Sequence, residues 1–262
     1  MSKTSSQLYL RHLPDVEKQI TSAIERGCSI CITNPTVFFR ADDIGIPSLQ
    51  FTQLINSFSN HKIPLCLATV PTWLNAKRLT ELQKIIGDSI DQWCWHQHGY
   101  VHRNFELSGK KQEFGPARNY ASVNSSLQKG KSRLELLLGP LNQPVFTPPW
   151  NRCGQETLQS LEDLGFKAIS RSRGATPLSK STFPDFQVNV DLHTRKETCP
   201  EKSFKKLLAE IEQSLATGQC GVMLHHQRMN GRALAFLDTL LQCFKRESRI
   251  SFTHFGDMIT SL

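Results

Sequence analysis

A chain of 262 residues with 39% hydrophobic and 21% charged residues has the composition of a folded globular protein, long for one domain but within the range of barrels built from alternating strands and helices. At that size it can bury roughly three quarters of its unfolded surface, so no covalent or metal staples are required for stability. The formal net charge of +8 leans towards acidic partners, yet no zinc-finger spacing, helix-turn-helix signal or long run of like charges accompanies it, which argues against a nucleic-acid partner.

The opening stretch, MSKTSSQLYLRHLPDVEK, has no apolar run of signal-peptide length and no small-residue cleavage site. No later segment approaches the apolar length that spans a bilayer. The expectation is a cytoplasmic chain with no membrane span, its 8 cysteines held as reduced thiols. Cys28 and Cys31 form a C-x-x-C, but no second pair stands at zinc-ribbon spacing. They read as small buried hydrophobes leading into a strand.

That strand is TVFFR (Thr36 to Arg40), rich in β-branched and aromatic residues. Phe51, Leu54, Ile55 and Phe58 then fall on one face of a helix. PLCLATV is a second strand, and Leu79, Leu82, Ile85 and Ile86 mark a helix stopped at Gly87. DQWCWHQH reads as a strand, about Asn119 to Leu138 as a longer helix, and PVFTPPW as a short strand ending at prolines. Leu158, Leu161 and Leu164 lie on a helix closed by Gly165, and KAIS and FQVNVDLH are the next strands. Phe204, Leu207, Leu208, Ile211 and Leu215 define an amphipathic helix, followed by the strand GVMLHH. A helix through Leu234, Leu237, Leu241 and Phe244, the strand RISFTHF and a terminal helix complete the chain. This alternation predicts a parallel sheet with helices outside, in one domain covering residues 1–262 with a core at about 34–258. Closure into a barrel is expected, because polar residues recur just after successive strands, where barrel enzymes place their chemistry.

Five strand ends carry those residues. Asp42 and Asp43 follow TVFFR. Adjacent carboxylates on extended chain point different ways, so one can hold a metal while the other faces a water. His98 and His102 form an H-x-x-x-H, which on a helical turn puts both imidazoles on one metal. His96 shares the strand face of His98 and reads as a pocket-wall or supporting residue. FTPPWN, with Pro149 and Trp150, is a rigid proline–aromatic turn, and Asp191-Leu192-His193 and Leu224-His225-His226 end two further strands.

In this order the set resembles the polysaccharide deacetylase family, the NodB-homology group, and its small branch with HGYVHRN and LHHQ motifs. The resemblance spans roughly Phe38 to His226 and implies a distorted (β/α)7–8 barrel with one divalent ion, Zn2+ first and Co2+, Fe2+, Ni2+ or Mn2+ as alternatives. It implies Asp43, His98 and His102 as metal ligands, Asp42 as general base and His225 as general acid. Trp150 would wall the substrate site with its backbone N–H near the oxyanion, and Asp191 would tune the catalytic histidine. The implied reaction is hydrolysis of a carbon–nitrogen amide bond in an N-acylated small molecule.

Three positions depart from the pattern. Thr147 stands where the third motif usually has an arginine that bonds the base aspartate; Arg118 or Arg40 could supply the guanidinium instead. His193 follows Asp191-Leu192 where a tryptophan is common, and His226 stands where an aspartate is frequent. These departures turn the expectation from a polymer towards a smaller N-acetyl or N-formyl sugar, a nucleotide- or lipid-linked sugar, or a non-sugar amide. A cyclic amide or ureide amidohydrolase and a catalytically silent metal- or ligand-binding module remain open on the same residues.

Overall fold

The structure, a computed structural model, describes residues 5–262, so the first four residues of the N-terminal stretch lie outside it. A single sheet carries eight strands: β1 (Thr36–Ile44), β2 (Leu65–Thr69), β3 (Trp93–His98), β4 (Asn142–Thr147), β5 (Ala168–Ile169), β6 (Val190–Asp191), β7 (Gln219–Leu224) and β8 (Ser251–Phe252). The strand pairings among the described residues are parallel, in the order β5-β4-β3-β2-β1-β7-β6, and β8 adds to the start of β1. The helices are α1 (Val16–Ile30), α2 (Leu49–His61), α3 (Ala76–Ile86), α4 (Tyr120–Leu138), α5 (Gln155–Asp163), α6 (Pro200–Ala216), α7 (Gly231–Arg246) and α8 (Phe255–Thr260).

The sheet curls until its ends meet. The segment before β6 donates from Phe186 N to Ile169 O (2.8 Å) and from Val188 N to Arg171 O (2.8 Å), while Asn189 N donates to Gly221 O of β7 (2.8 Å). This seam is irregular and is clamped by a buried ion pair, Arg171 Nη2 to Asp185 Oδ2 at 2.9 Å. The expected α/β barrel is therefore present in distorted form, with its closing strands reduced to two-residue pieces, whereas KAIS, FQVNVDLH and RISFTHF predicted longer ones.

Strand alternation sorts the side chains. Val37, Phe39 and Ala41 of β1 face outward into the main core with α2, α6 and α7. Phe38 faces inward with Cys66, Cys94, Val145, Ala168, Val188 and Met223, one position from each neighbouring segment. Gly221 of β7 sits against that inner row because a Cβ there would lie 2.4 Å from Phe38 Cζ. The lower end of the barrel is plugged by Phe255 of α8, whose ring lies 5.3 Å from Phe38 and 5.5 Å from Phe186.

The sequence reading missed α1, although Ile20, Ala23, Ile24, Gly27 and Cys28 are its buried face. Gly27 lets it approach α6 closely: a Cβ there would meet Glu212 O at 2.7 Å. Cys28 and Cys31 are buried as expected, but they close α1 rather than lead directly into a strand. No helix among the described residues is long and apolar enough to cross a membrane.

Candidate metal centre and active site

The site begins with β1. Alternation puts Phe38, Arg40 and Asp42 on the inner side, rising from the apolar floor to the open upper end. There the register with β2 slips between Ala41 and Ile44, a β-bulge, and Asp43 adopts a left-handed φ of 65°. TVFFR therefore continues as strand through both carboxylates, and the bulge brings adjacent Asp42 and Asp43 to one cavity.

Arg40 is fully buried and answers the missing arginine of the third motif. Its Nε donates to Asp42 Oδ1 (2.8 Å) and its Nη2 to Asp42 Oδ2 (3.0 Å), a two-pronged fork. The remaining donors reach Ser170 O (3.0 Å), Ser170 Oγ (2.8 Å), Asn151 Oδ1 (2.6 Å) and Met223 Sδ (3.2 Å). Arg118 does not take this part. It bonds Glu113 O, Ser122 O and Ser126 Oγ and lies over the Phe105 ring at 4.6 Å, because it stands in the loop that leads into α4 and is taken up by that helix's first turns. Burial works to raise the Asp42 carboxyl, but the charges of Arg40, His98 and His225 and the Arg40 hydrogen bond bring it below its ordinary value, so it is ionised at neutral pH.

Asp43, His98 and His102 converge with one ligand atom each, all within 4.8 Å of one another. Asp43 Oδ1 is 3.5 Å from His98 Nε2 and 3.0 Å from His102 Nε2. His98 Nδ1 lies 3.0 Å from Thr147 O; since a carbonyl only accepts, the proton sits on Nδ1 and the Nε2 lone pair is left for the carboxylate side. A buried carboxylate facing such a nitrogen is met either by a second proton on the ring, since Asp43 draws the His98 pKa up against the effect of burial, or by a cation between them. The residues thus fit a divalent first-row ion, with two imidazoles, one carboxylate and open positions remaining. Burial acts against the Asp43 charge, yet the two imidazoles hold its carboxyl well below the usual carboxylate range.

The H-x-x-x-H is not on a helical turn. After β3 the chain turns sharply at Gly99 (φ 62°), and His102 is itself left-handed (φ 55°). A Cβ on Gly99 would lie 2.4 Å from Glu113 Oε2 and 2.6 Å from Pro149 Cγ. The loop is held by Glu113, fully buried, whose carboxylate accepts from Tyr100 N (3.1 Å), Val101 N (2.8 Å) and His102 N (3.0 Å). Burial pushes the Glu113 carboxyl up, and the three N–H donors only partly offset it. Glu113 had no sequence signal beyond being one acid in the basic stretch KKQEFGPAR.

Trp150 and Asn151 are consecutive left-handed residues (φ 57° and 58°). This costs on the order of 1–3 kcal/mol per residue and aims Asn151 at Arg40. The Trp150 ring lies 4.8 Å from His102, and Trp73, also missed by the sequence reading, covers the same imidazole at 5.4 Å. Pro149 does not line the cavity; it is buried against Gly99. His96 is likewise below the cavity rather than in its wall, fully buried, with Nε2 2.9 Å from Thr147 Oγ1. Burial and Arg40 push its pKa down to about 3, so it is neutral.

On the far side of the cavity, Asp191 accepts from His193 N (2.9 Å), Thr194 N (2.8 Å) and Thr194 Oγ1. His193 Nδ1 in turn accepts from His225 N at 3.0 Å, so Asp191 reaches His225 through His193. Burial, aided by His225, pushes His193 down to about 3. His225 lines the cavity with Asp42 and the triad, whereas His226 turns outward against Phe51 (5.9 Å). Gln227 Nε2 donates to Asp43 O (3.1 Å), tying the bulge to the end of β7. The cavity these residues share is about 1090 Å³.

No family model matches the sequence, and no curated protein matches it. Solved structures match in fold. A protein assigned as a polysaccharide deacetylase from Mycobacterium smegmatis has a TM-score of 0.64 at 12% identity, over 87% of this chain and 90% of that one. A family 4 acetyl xylan esterase from Clostridium thermocellum, in complex with a cobalt ion, has a TM-score of 0.55 at 9% identity, over 86% and 91%. A CE4 family pseudoenzyme from Bacillus anthracis has a TM-score of 0.53 at 12% identity, over 87% and 66%. The fold is that of the NodB-homology deacetylases, as the resemblance of the sequence implied.

Proposed function

We propose that this chain is a metal-dependent hydrolase that removes an N-acyl group, acetyl or formyl, from a carbohydrate-derived or other small amide. The observation that carries the reading is the pairing, in one cavity, of an arginine-forked carboxylate with a separate carboxylate and two imidazoles. Fold neighbours described as a deacetylase and an esterase support the chemistry, and the cobalt ion in one of them supports a first-row metal.

Asp43, His98 and His102 would hold the ion, which when bound polarises the amide carbonyl and makes a water acidic. Asp42 would take the proton of the attacking water at a carboxylate oxygen. Its pKa sits below the ordinary value, so it waits ionised, and the Arg40 fork fixes which way its oxygens face. Arg40 also makes Asp42 a weaker base, so orientation is the larger part of what it supplies. His225 would give a proton to the departing amine, with its backbone held by His193 and, through it, by Asp191. Trp73 and Trp150 flank His102 and keep bulk water from that side of the triad.

The test is elemental analysis of the purified protein and of His98→Ala, with a screen of N-acetyl and N-formyl sugars. About one first-row ion per chain, lost in the variant, together with turnover that Asp42→Asn cuts by about a hundred- to ten-thousandfold, is the expected result. An ion bound without turnover of any amide would leave a ligand-binding module instead.

A further inference from the structure

The cavity has a charge imbalance that hydrolysis alone does not use. Its four carboxylates are all engaged: Asp42 by Arg40, Asp43 by the two imidazoles, Asp191 by the turn at His193 and Thr194, and Glu197 by Lys206 Nζ at 2.8 Å and Arg195 Nε at 3.4 Å. Lys111, Arg152 and Lys196 line the same cavity, and none pairs with an acidic side chain among the described residues. Arg152 directly follows Trp150 and Asn151, and its Nη1 bonds the Lys111 carbonyl at 3.3 Å. That contact sets the guanidinium against the Lys111 backbone, and both residues line the cavity beside Trp150, which flanks His102. With the carboxylates engaged elsewhere, the unpaired cations leave a local excess of positive charge on that wall, and such a patch in a cleft attracts ligands of the opposite sign.

We propose that the substrate is anionic: an N-acylated sugar that also carries a phosphate or carboxylate, which Arg152 and Lys111 bind while the amide lies at Asp42 and the triad. This rests on the hydrolytic reading above and adds the class of substrate to it. A guanidinium presents paired N–H donors that match the oxygens of either anion, and the neighbouring ammonium adds a point charge. The volume of about 1090 Å³ leaves room for a sugar ring and a charged substituent together.

The experiment compares kcat/KM of the metal-loaded protein for N-acetylglucosamine, its 1-phosphate, its 6-phosphate and the analogue with a carboxylate at carbon 6. It is paired with calorimetric binding of the same four sugars to Asp42→Asn. One or more anionic sugars should exceed the uncharged one by at least about tenfold. That ratio should collapse towards one in Arg152→Ala and further in Arg152→Ala/Lys111→Ala, and binding of the anionic sugar to Asp42→Asn should weaken as sodium chloride is raised. Whichever anion is preferred supports the proposal and identifies the substituent. Equal use of charged and uncharged sugars, or a preference that survives in Arg152→Ala, overturns it and leaves the hydrolytic reading standing. Salt-sensitive binding of an anionic sugar that Arg152→Ala removes, with no amide hydrolysed, supports the anion site and removes the hydrolytic reading.

Discussion

Phe38 and Asp42 stand four residues apart on the inner side of β1, in surroundings of opposite kind. Around Phe38 the backbone is regular: β1 and β7 run in unbroken register from Thr36 to Ala41, and Phe38, Phe186 and Phe255 fill the floor ring against ring. Around Asp42 the register breaks. Four of the six non-glycine residues with positive φ among the described residues lie at this end: Asp43, His102, Trp150 and Asn151. Between the two regions lie Arg40 and His96, both fully buried, one charged with its donors satisfied, the other held neutral by burial. The floor is built from burial that stabilises the fold, and the mouth holds strained backbone and buried charge that a fold keeps only where they serve a site.

Substitutions should therefore separate stability from function along the barrel axis. The largest effect is expected at the triad: His98→Ala or Asp43→Asn should abolish the bound ion and turnover together while the chain stays folded, read by elemental analysis beside a thermal melt. Next, Asp42→Asn should cut turnover by about a hundred- to ten-thousandfold with the ion retained. If the ion is lost as well, Asp42 is a ligand and the division of labour between the two carboxylates is wrong. At the floor, Phe255→Ala should cost about 3–5 kcal/mol of stability in a denaturant titration while turnover per folded molecule persists. Arg40→Met belongs to the boundary and should show both faults: breaking a buried pair costs about 3–5 kcal/mol, and Asp42 loses its fixed orientation. A variant with unchanged stability would mean that water, not protein, compensates Asp42 and that the boundary is less dry than its full burial implies.

How much of this was legible in the sequence follows the same division. The regular strands and helices declared themselves by periodicity, and the polar strand ends marked the mouth. The bulge at Asp43 did not, because a one-residue register slip leaves no trace in composition. Nor did the loop conformation of His98 to His102, where helical spacing suggested a helix; Gly99 supplies a tight turn into a space already filled by Pro149 and Glu113. Arg40 was one of two named arginines, and strand alternation alone would have favoured it, since residues 40 and 42 share a face. The two-residue strands β5 and β6 were overestimated because KAIS and FQVNV have strand propensity but lie on either side of an irregular seam, where pairing geometry rather than propensity sets the length. Helix α1 was missed although Ile20, Ala23, Ile24, Gly27 and Cys28 are spaced along one face, because two of those five are a glycine and a cysteine, which weaken the apolar signal.

Glu113 gives the finest test, because it touches neither the proposed ion nor substrate. Its Oε1 takes two N–H donors, from Tyr100 and Val101, and its Oε2 takes that of His102. Glu113→Gln keeps the shape and one accepting oxygen. If that oxygen stays on Tyr100 and Val101, the amide NH2 meets the His102 N–H donor to donor, and the loop has little room to shift because Gly99 is packed against both that carboxyl and Pro149. The cost should be about 1–3 kcal/mol, the penalty of a buried donor left without an acceptor. It should fall on His102 rather than on His98, whose ring is held separately by Thr147. The expected result is a roughly ten- to hundredfold weaker affinity for zinc or cobalt in a chelator competition, the usual size of a lost supporting contact, with a smaller loss of thermal stability than Phe255→Ala. Unchanged affinity would show that Trp73 and Trp150 alone fix His102, and would move the work of holding the loop from the buried carboxylate to the two aromatic faces.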